Sequence, residues 1–174
     1  MTIGYMGTSG HARDLQLVVP ALCSIMDRRP NVRFETFGAI KLPSELEGFK
    51  GRVIAHPPTS DYAEFLRRLA ALDWDIGLAP IIDNPFNRCK ADTKWVEYTA
   101  AGIPVVASDL PVYENACGDG AGRLVKVEEW QIALEQLISD PVKRSELAAN
   151  AQERLNRLYS EEKVAVQARA SRRI

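Results

Sequence analysis

The chain has 174 residues, of which 46% are hydrophobic and 26% charged, with a net charge of −1. That length suffices for one ordinary domain with a sizeable core, and the composition is that of a soluble globular protein. A near-neutral charge gives no reason to expect nucleic acid as a partner. No apolar run reaches the roughly 18 residues needed to cross a bilayer. Cys23, Cys89 and Cys117 form no CxxC or Cys/His ligand pattern, so no metal set is visible, and their sparse, odd number fits a reducing compartment. Met1-Thr2-Ile3-Gly4-Tyr5 enters a strand-like segment without a basic n-region, which predicts a cytoplasmic protein without a signal peptide.

Strand-like and helix-like segments alternate along the chain, the pattern of βαβ units and a mainly parallel sheet. Thr2–Met6 is a short strand ending in the turn Gly7-Thr8-Ser9-Gly10. From Ala12 to Met26, Leu15, Val18, Val19, Leu22 and Met26 share one helical face. Val32–Phe37 alternates as a second strand, residues 40–52 form a polar loop, and Arg52–Ala55 is a short third strand closed by His56-Pro57-Pro58. Ser60 or Asp61 caps a helix running to Leu72. Trp74–Ile81 is an apolar fourth strand, followed by a loop, a helix from about Asp92 to Ala101, and a fifth strand at Ile103–Ser108. Gly102 suits the helix-ending C′ position, and Pro104 prevents continuation. A short helix is expected after Pro111, a sixth strand at Gly122–Val127, and closing helices over residues 128–174, divided at Asp140-Pro141. The expected architecture is α/β: one Rossmann-like, doubly wound domain over residues 1–174, with a six-stranded sheet covered by helices on both faces.

Ligands of such sheets bind beyond the carboxyl ends of the strands, where strand order reverses. That directs attention to Gly7–Gly10 and to the loop Ile81–Lys94. The helix starting near Asp92 offers free N–H groups and a partial positive charge to an anion. Lys90, Lys94 and Glu97 are spaced i, i+4, i+7. Two cations at a helix start oppose its dipole unless an anion binds there, and a carboxylate one turn deeper suits a diol such as a ribose. The competing account has both lysines solvated and Glu97 paired with one of them. Gly7-Thr8-Ser9-Gly10-His11 is neither a GxGxxG fingerprint nor a P-loop, yet its small residues allow close approach by a phosphate or a sugar. His11 is either a ligand donor or a helix cap. No Ser/His/Asp set can be assembled.

The stretch DIGLAPIIDNPFNRCKADTKWVEYTAAGIPVVASDLPVY resembles the donor-binding segment of retaining GT-B glycosyltransferases of group 1, with Glu97 followed by small residues and Gly102-Ile103-Pro104-Val105-Val106-Ala107. The opening IGYMGTSGHARDLQLVVPAL and the closing DGAGRLVKVEEWQIALEQLISDPVKRSELAANAQERL are similar to the family's first and last segments. The resemblance implies the C-terminal, nucleotide-sugar-binding half of such an enzyme. It implies that Glu97 meets the ribose, that Lys94, Lys90, Arg13 and Thr93 meet the diphosphate, and that His56 and Pro57 line the base. The turn Gly7, Thr8, Ser9, Gly10 and His11 would face sugar or phosphate. It further implies transfer of a hexose-type sugar in glycan or polysaccharide biosynthesis, with no cofactor and no metal, because helix dipole and basic side chains would stabilise the departing diphosphate. The family's first glutamate would fall at Cys89, a departure bearing on the sugar and on activity.

A partner domain that binds the acceptor is also implied, so this chain alone is expected to be inactive. Residues 141–174 carry 8 basic and 4 acidic side chains. They suit an acidic partner domain, peripheral contact of the full enzyme with lipid head groups, or a solvated helix face. Three rivals stand beside the transferase reading: a non-catalytic nucleotide or sugar-phosphate binding module, an epimerase of the same shape, and a response-regulator-like domain. The epimerase would need a carboxylate pair for acid/base work, and the regulator an acidic cluster after the first strand; neither is visible.

Overall fold

A computed structural model describes residues 1–160. Six strands form one parallel sheet: β1 (Thr2–Met6), β2 (Arg33–Phe37), β3 (Val53–His56), β4 (Ile76–Ala79), β5 (Val105–Ser108) and β6 (Arg123–Val125). Their order is β3-β2-β1-β4-β5-β6, so the sheet is doubly wound and the order reverses between β1 and β4. The central strands β1, β4 and β5 are buried on both faces, which explains their continuous apolar runs, whereas the edge strand β3 exposes Ile54 and Ala55. The expected six-stranded architecture is therefore observed.

Helices cover both faces. On one face, α1 (Ala12–Gln16) and α2 (Val19–Arg28) pack with α7 (Trp130–Ser139) around Leu15, Leu22, Ile25, Phe34, Trp130 and Leu134. On the other, α3 (Tyr62–Ala71), α5 (Thr93–Ala100) and α8 (Pro141–Leu158) enclose Leu69, Trp74, Trp95, Tyr98 and Ala151. Two one-turn helices, α4 (Pro85–Arg88) and α6 (Pro111–Glu114), lie in the loops after β4 and β5.

Several boundaries differ from those expected. The segment Ala12–Met26 is two helices, because Pro20 has no N–H for the turn before it; the chain crosses Leu17 and Val18 with tighter bonds to Asp14 and Leu15. Four strands, β2, β4, β5 and β6, are shorter than the segments expected to form them, β4 being only Ile76–Ala79. The loop after β4 contains the unanticipated α4, started by Asn84, whose side chain accepts from Asn87 N, with Pro85 at the first helical position. Asp61 rather than Ser60 caps α3. Gly102 closes α5 as expected, at φ 78°. The expected end of the closing helices, residues 161–174, lies outside the described residues.

A pair of glycines shapes the centre of the sheet. Gly4 and Gly77 are register partners on β1 and β4. A Cβ on Gly4 would lie 1.8 Å from the Trp74 ring, and one on Gly77 2.9 Å from Tyr98. Without side chains there, both aromatic rings press onto the sheet. The Tyr98 hydroxyl then reaches between the strands, accepting from Met6 N at 2.9 Å and donating to Leu78 O at 3.1 Å. Beyond Gly4 and Gly77 it is this hydroxyl, rather than a ladder bond, that joins β1 to β4, and the sheet opens into a crevice.

Candidate functional site

Two adjoining chambers occupy the carboxyl end of the sheet, at the β1/β4 crevice. The larger, about 320 Å³, is lined by Gly7, Thr8 and His11 from the turn after β1, by Phe37 to Ala39 after β2, by Pro58 and Thr59 after β3, by Phe65 of α3, and by Thr93, Lys94 and Glu97 of α5. The smaller, about 170 Å³, shares His11, Thr93 and Lys94, and adds Asp14, Pro80, Ile81, Lys90, Ala91 and Tyr113. Lys94 thus stands between them.

Lys94 and Glu97 are one helical turn apart, and both are half-buried. Among the described residues no ion pair within 4.0 Å joins either lysine, 90 or 94, to Glu97 or to any other carboxylate. The paired account of these charges is therefore not what the fold adopts. Lys94 Nζ lies 5.7 Å from the centre of the Tyr5 ring, and Lys90 Nζ lies 5.2 Å from that of Phe86. Burial presses the Lys94 ammonium down to about 8, with Lys90 adding repulsion and the Asp14 and Glu97 charges opposing the shift. Burial likewise raises the Glu97 carboxyl, against the pull of Lys94 and the Tyr62 hydroxyl. The cleft holds a half-buried cation without an ion-pair partner and, one turn on, a half-buried carboxylate whose partner is the Tyr62 hydroxyl.

A second pair organises the wall opposite α5. Asp14 is 4% exposed; its Oδ2 meets His11 Nδ1 at 2.9 Å and its Oδ1 accepts from Ile82 N at 2.9 Å. Burial works against its charge, but these hydrogen bonds and the nearby cations hold the carboxyl below its usual value. Asp14 thereby ties the turn after β1 to the loop after β4 and fixes the orientation of His11. The far end of the larger chamber is aromatic. Phe37 and Phe65 stack at 5.2 Å, with Tyr62 against Phe65 at 5.9 Å.

Of the residues singled out from sequence, Lys94, Glu97, Thr93, Gly7, Thr8 and His11 come together in the larger chamber, and Lys90 joins the smaller. Five others line neither chamber. Arg13, Ser9 and Gly10 point to solvent, because the turn after β1 becomes a 3-10 helix and carries them outward. His56 turns to the sheet face, where Glu35 Oε2 binds its Nε2 at 2.8 Å and also accepts from Trp74 Nε1. Pro57 offers its carbonyl to Arg68, and the chamber wall is one residue further on, at Pro58 and Thr59. Sequence reasoning passed over Asp14, Phe37 and Phe65. The signal available for Asp14 was its place three residues after His11, on the first turn following a phosphate-like loop. Cys89 ends α4, is exposed, and lines neither chamber. Among the described residues no cluster of three or more His, Cys, Asp or Glu could hold a metal, and no helix is long and apolar enough to cross a membrane.

The sequence profile of a family described as glycosyl transferase-like matches residues 17–170. No curated protein matches the sequence. Among solved structures, the C-terminal domain of LpcC, a group 1 glycosyl transferase of Francisella tularensis, superposes with a TM-score of 0.71 at 19% identity, over 92% of this chain and 86% of that one. HepE of Anabaena, in complex with UDP and glucose, gives 0.76 at 18% identity over 98% of this chain and 47% of its own. WaaG, a glycosyltransferase of lipopolysaccharide biosynthesis, gives 0.71 at 18% over 98% and 46%. This chain therefore spans most of the LpcC domain and about half of HepE and WaaG. Matched along most of its length and sharing this sheet, it belongs to the glycosyl transferase-like family and has the fold of the C-terminal domain of a group 1 GT-B enzyme.

Proposed function

We propose that this chain is the donor-binding half of a glycosyltransferase and that its crevice holds a nucleoside diphosphate-sugar. The observation that carries the proposal is Lys94: a half-buried ammonium without a counter-ion, at the start of a helix, facing the point where the sheet opens. A diphosphate there supplies the missing negative charge, and the α5 N–H groups add donors. Glu97, one turn deeper and beside the aromatic end, accepts from the ribose hydroxyls. The base lies toward Phe37, Ala39, Pro58 and Phe65, and the phosphates run past Thr93 to the turn Gly7, Thr8 and His11. The sugar, a hexose in this proposal, occupies the smaller chamber, near Lys90 and Tyr113. HepE binding UDP and glucose on the same fold supports the ligand class.

In the reaction, bond cleavage between sugar and diphosphate leaves negative charge on the departing phosphate. Lys94 and the α5 dipole are already in place to stabilise that charge, and they have given up their hydration before reaction begins. Retention of configuration, an acceptor-binding partner domain and a role in glycan or polysaccharide assembly follow as parts of the same proposal, as does inactivity of this chain alone. The cations already present make a divalent metal unnecessary for binding. Calorimetric titration with UDP, UDP-glucose and uridine, with and without EDTA, tests this. UDP should bind well above uridine and be indifferent to EDTA; equal affinity for UDP and uridine would remove the diphosphate from the crevice.

A second reading, binding without catalysis, is favoured by Cys89. Where the family places a glutamate against the sugar, this chain has an exposed thiol outside both chambers. Slow hydrolysis of bound UDP-glucose by the chain joined to an acceptor domain would favour the enzyme, and binding with no turnover the module.

A further inference from the structure

Four helices begin with Asp or Asn at the N-cap, and one of the four behaves differently. Asp61, Asn84 and Asp140 each turn back on their own helix and accept from Glu64 N, Asn87 N and Lys143 N at 2.6–2.8 Å. Asp92, at the start of α5, makes no such bond. Its ψ is 27°, whereas the three capping residues have ψ between 88° and 163°. Its Oδ1 instead accepts from the Tyr159 hydroxyl at 2.7 Å. Although Ala91, Thr93 and Lys94 all line the crevice, Asp92 itself lines neither chamber; its charge is felt by Cys117 and, from behind the smaller chamber, by Tyr113.

Tyr159 follows the last residue of α8, and that end of α8 is held in place. Arg154 donates to Asn115 O at 2.7 Å and pairs with Asp119, as does Arg157. The hydroxyl therefore approaches Asp92 from an anchored helix. Its proton is also firmly retained, since burial and the Asp92 carboxylate push the phenol up to about 12.

We propose that Tyr159 is a positioning residue for the diphosphate: by holding the Asp92 carboxylate aside, it keeps the start of α5 uncapped and free of negative charge. An N-cap carboxylate and a phosphate compete for the same N–H groups, because both satisfy the first turn of a helix. Here the competitor is removed by a hydrogen bond from the far end of the domain. This rests on the reading that a diphosphate binds at α5, and it makes the closing helix part of the donor site without touching the donor.

Two measurements on Tyr159→Phe test it. The first needs no ligand. Released, Asp92 rotates and caps α5, so the Trp95 amide should exchange with solvent more slowly by about three- to tenfold, and Tyr159→Phe/Asp92→Ala should return it to the wild-type rate. The second uses UDP and uridine as probes. UDP affinity should fall by about three- to tenfold in Tyr159→Phe and uridine affinity should not change; adding Asp92→Ala should restore UDP binding. A purely structural loss would not be rescued by the second substitution. Unchanged Trp95 exchange in Tyr159→Phe overturns the proposal whatever UDP does. Failure of the wild type to bind UDP, with the exchange result as expected, refutes the donor-site reading and leaves the latch as a property of the helix alone.

Discussion

The two ends of the sheet treat charge in opposite ways. At the amino ends of the strands, Asp75 accepts from Thr2 N at 2.7 Å and meets Arg144 at 3.6 Å, and Arg144 also donates to Leu137 O at 2.6 Å. Both of those charged side chains are answered by the protein itself. At the carboxyl ends, Lys94 is desolvated and left without an ionic partner, and burial raises the Glu97 carboxyl above its usual value. The same chain pairs these half-buried charges, so the half-buried cation left unpaired is where something else is expected. Desolvated, unmatched charge costs stability, and it persists where binding restores what folding gave up.

Lys94→Met breaks this comparison most severely. Affinity for UDP should fall by at least about 100-fold, while the ligand-free protein becomes more stable by about 1–3 kcal/mol, because a desolvated ammonium has been removed. Titration calorimetry and urea unfolding read the two effects, and a destabilised variant would show that Lys94 has a hidden structural partner. Glu97→Gln comes next: it keeps the shape and removes the charge, and UDP and uridine should both weaken by about 10- to 100-fold if the partner is the ribose. Loss for UDP alone would move Glu97 from the sugar ring to the phosphates.

Arg144→Met sharpens the opposite end. It leaves Leu137 O and Asp75 short of a donor, so stability should drop by about 1–3 kcal/mol in urea unfolding, with UDP affinity unaltered. A change in affinity there would couple the two ends of the sheet. The smallest effect is that of pH. Lys94 releases its proton at about 8 in the folded chain against 10.5 ordinarily. The protonated form binds the diphosphate, so UDP affinity should be level up to that pH and decline above it. Without ligand the sign is reversed. Between about 8 and 10.5 the unfolded chain holds the extra proton, so this group makes stability rise with pH across that window. Lys94→Met should abolish both trends.

How much of this was legible in the sequence depended on the distance over which a residue acts. The central strands were legible because both their faces are buried, and α5 because Gly102 and Pro104 mark its end. Lys94 and Glu97 could be placed together because helical spacing is local. Gly4 and Gly77 could not be read as a pair: each signals a close approach, but the rings that approach them come from Trp74 and Tyr98, which only the assembled sheet brings there. The position of His56 was hidden for a related reason. The strand it ends turns its side chain onto the sheet, toward Glu35, and a loop residue next to prolines gives no hint of that. Arg13 and Ser9 line neither chamber because the turn after β1 winds into a short helix instead of lying open around the crevice. Pro20, by contrast, was an available signal for the break between α1 and α2.

The hydroxyl of Tyr98 has an electrical consequence for the crevice. It satisfies one donor on β1 and one acceptor on β4 at the point where those strands part, so the base of the cleft requires no water to complete its hydrogen bonds. Water is the medium that most weakens the field of a charge. With the Tyr98 phenol bonded beneath the crevice, Phe37 and Phe65 on its sides and the buried Tyr5 ring 5.7 Å from Lys94 Nζ, the field of Lys94 spreads largely through protein before it meets solvent at the mouth. An approaching dianion therefore meets an attraction that strengthens as it enters, and a neutral sugar or nucleoside meets none.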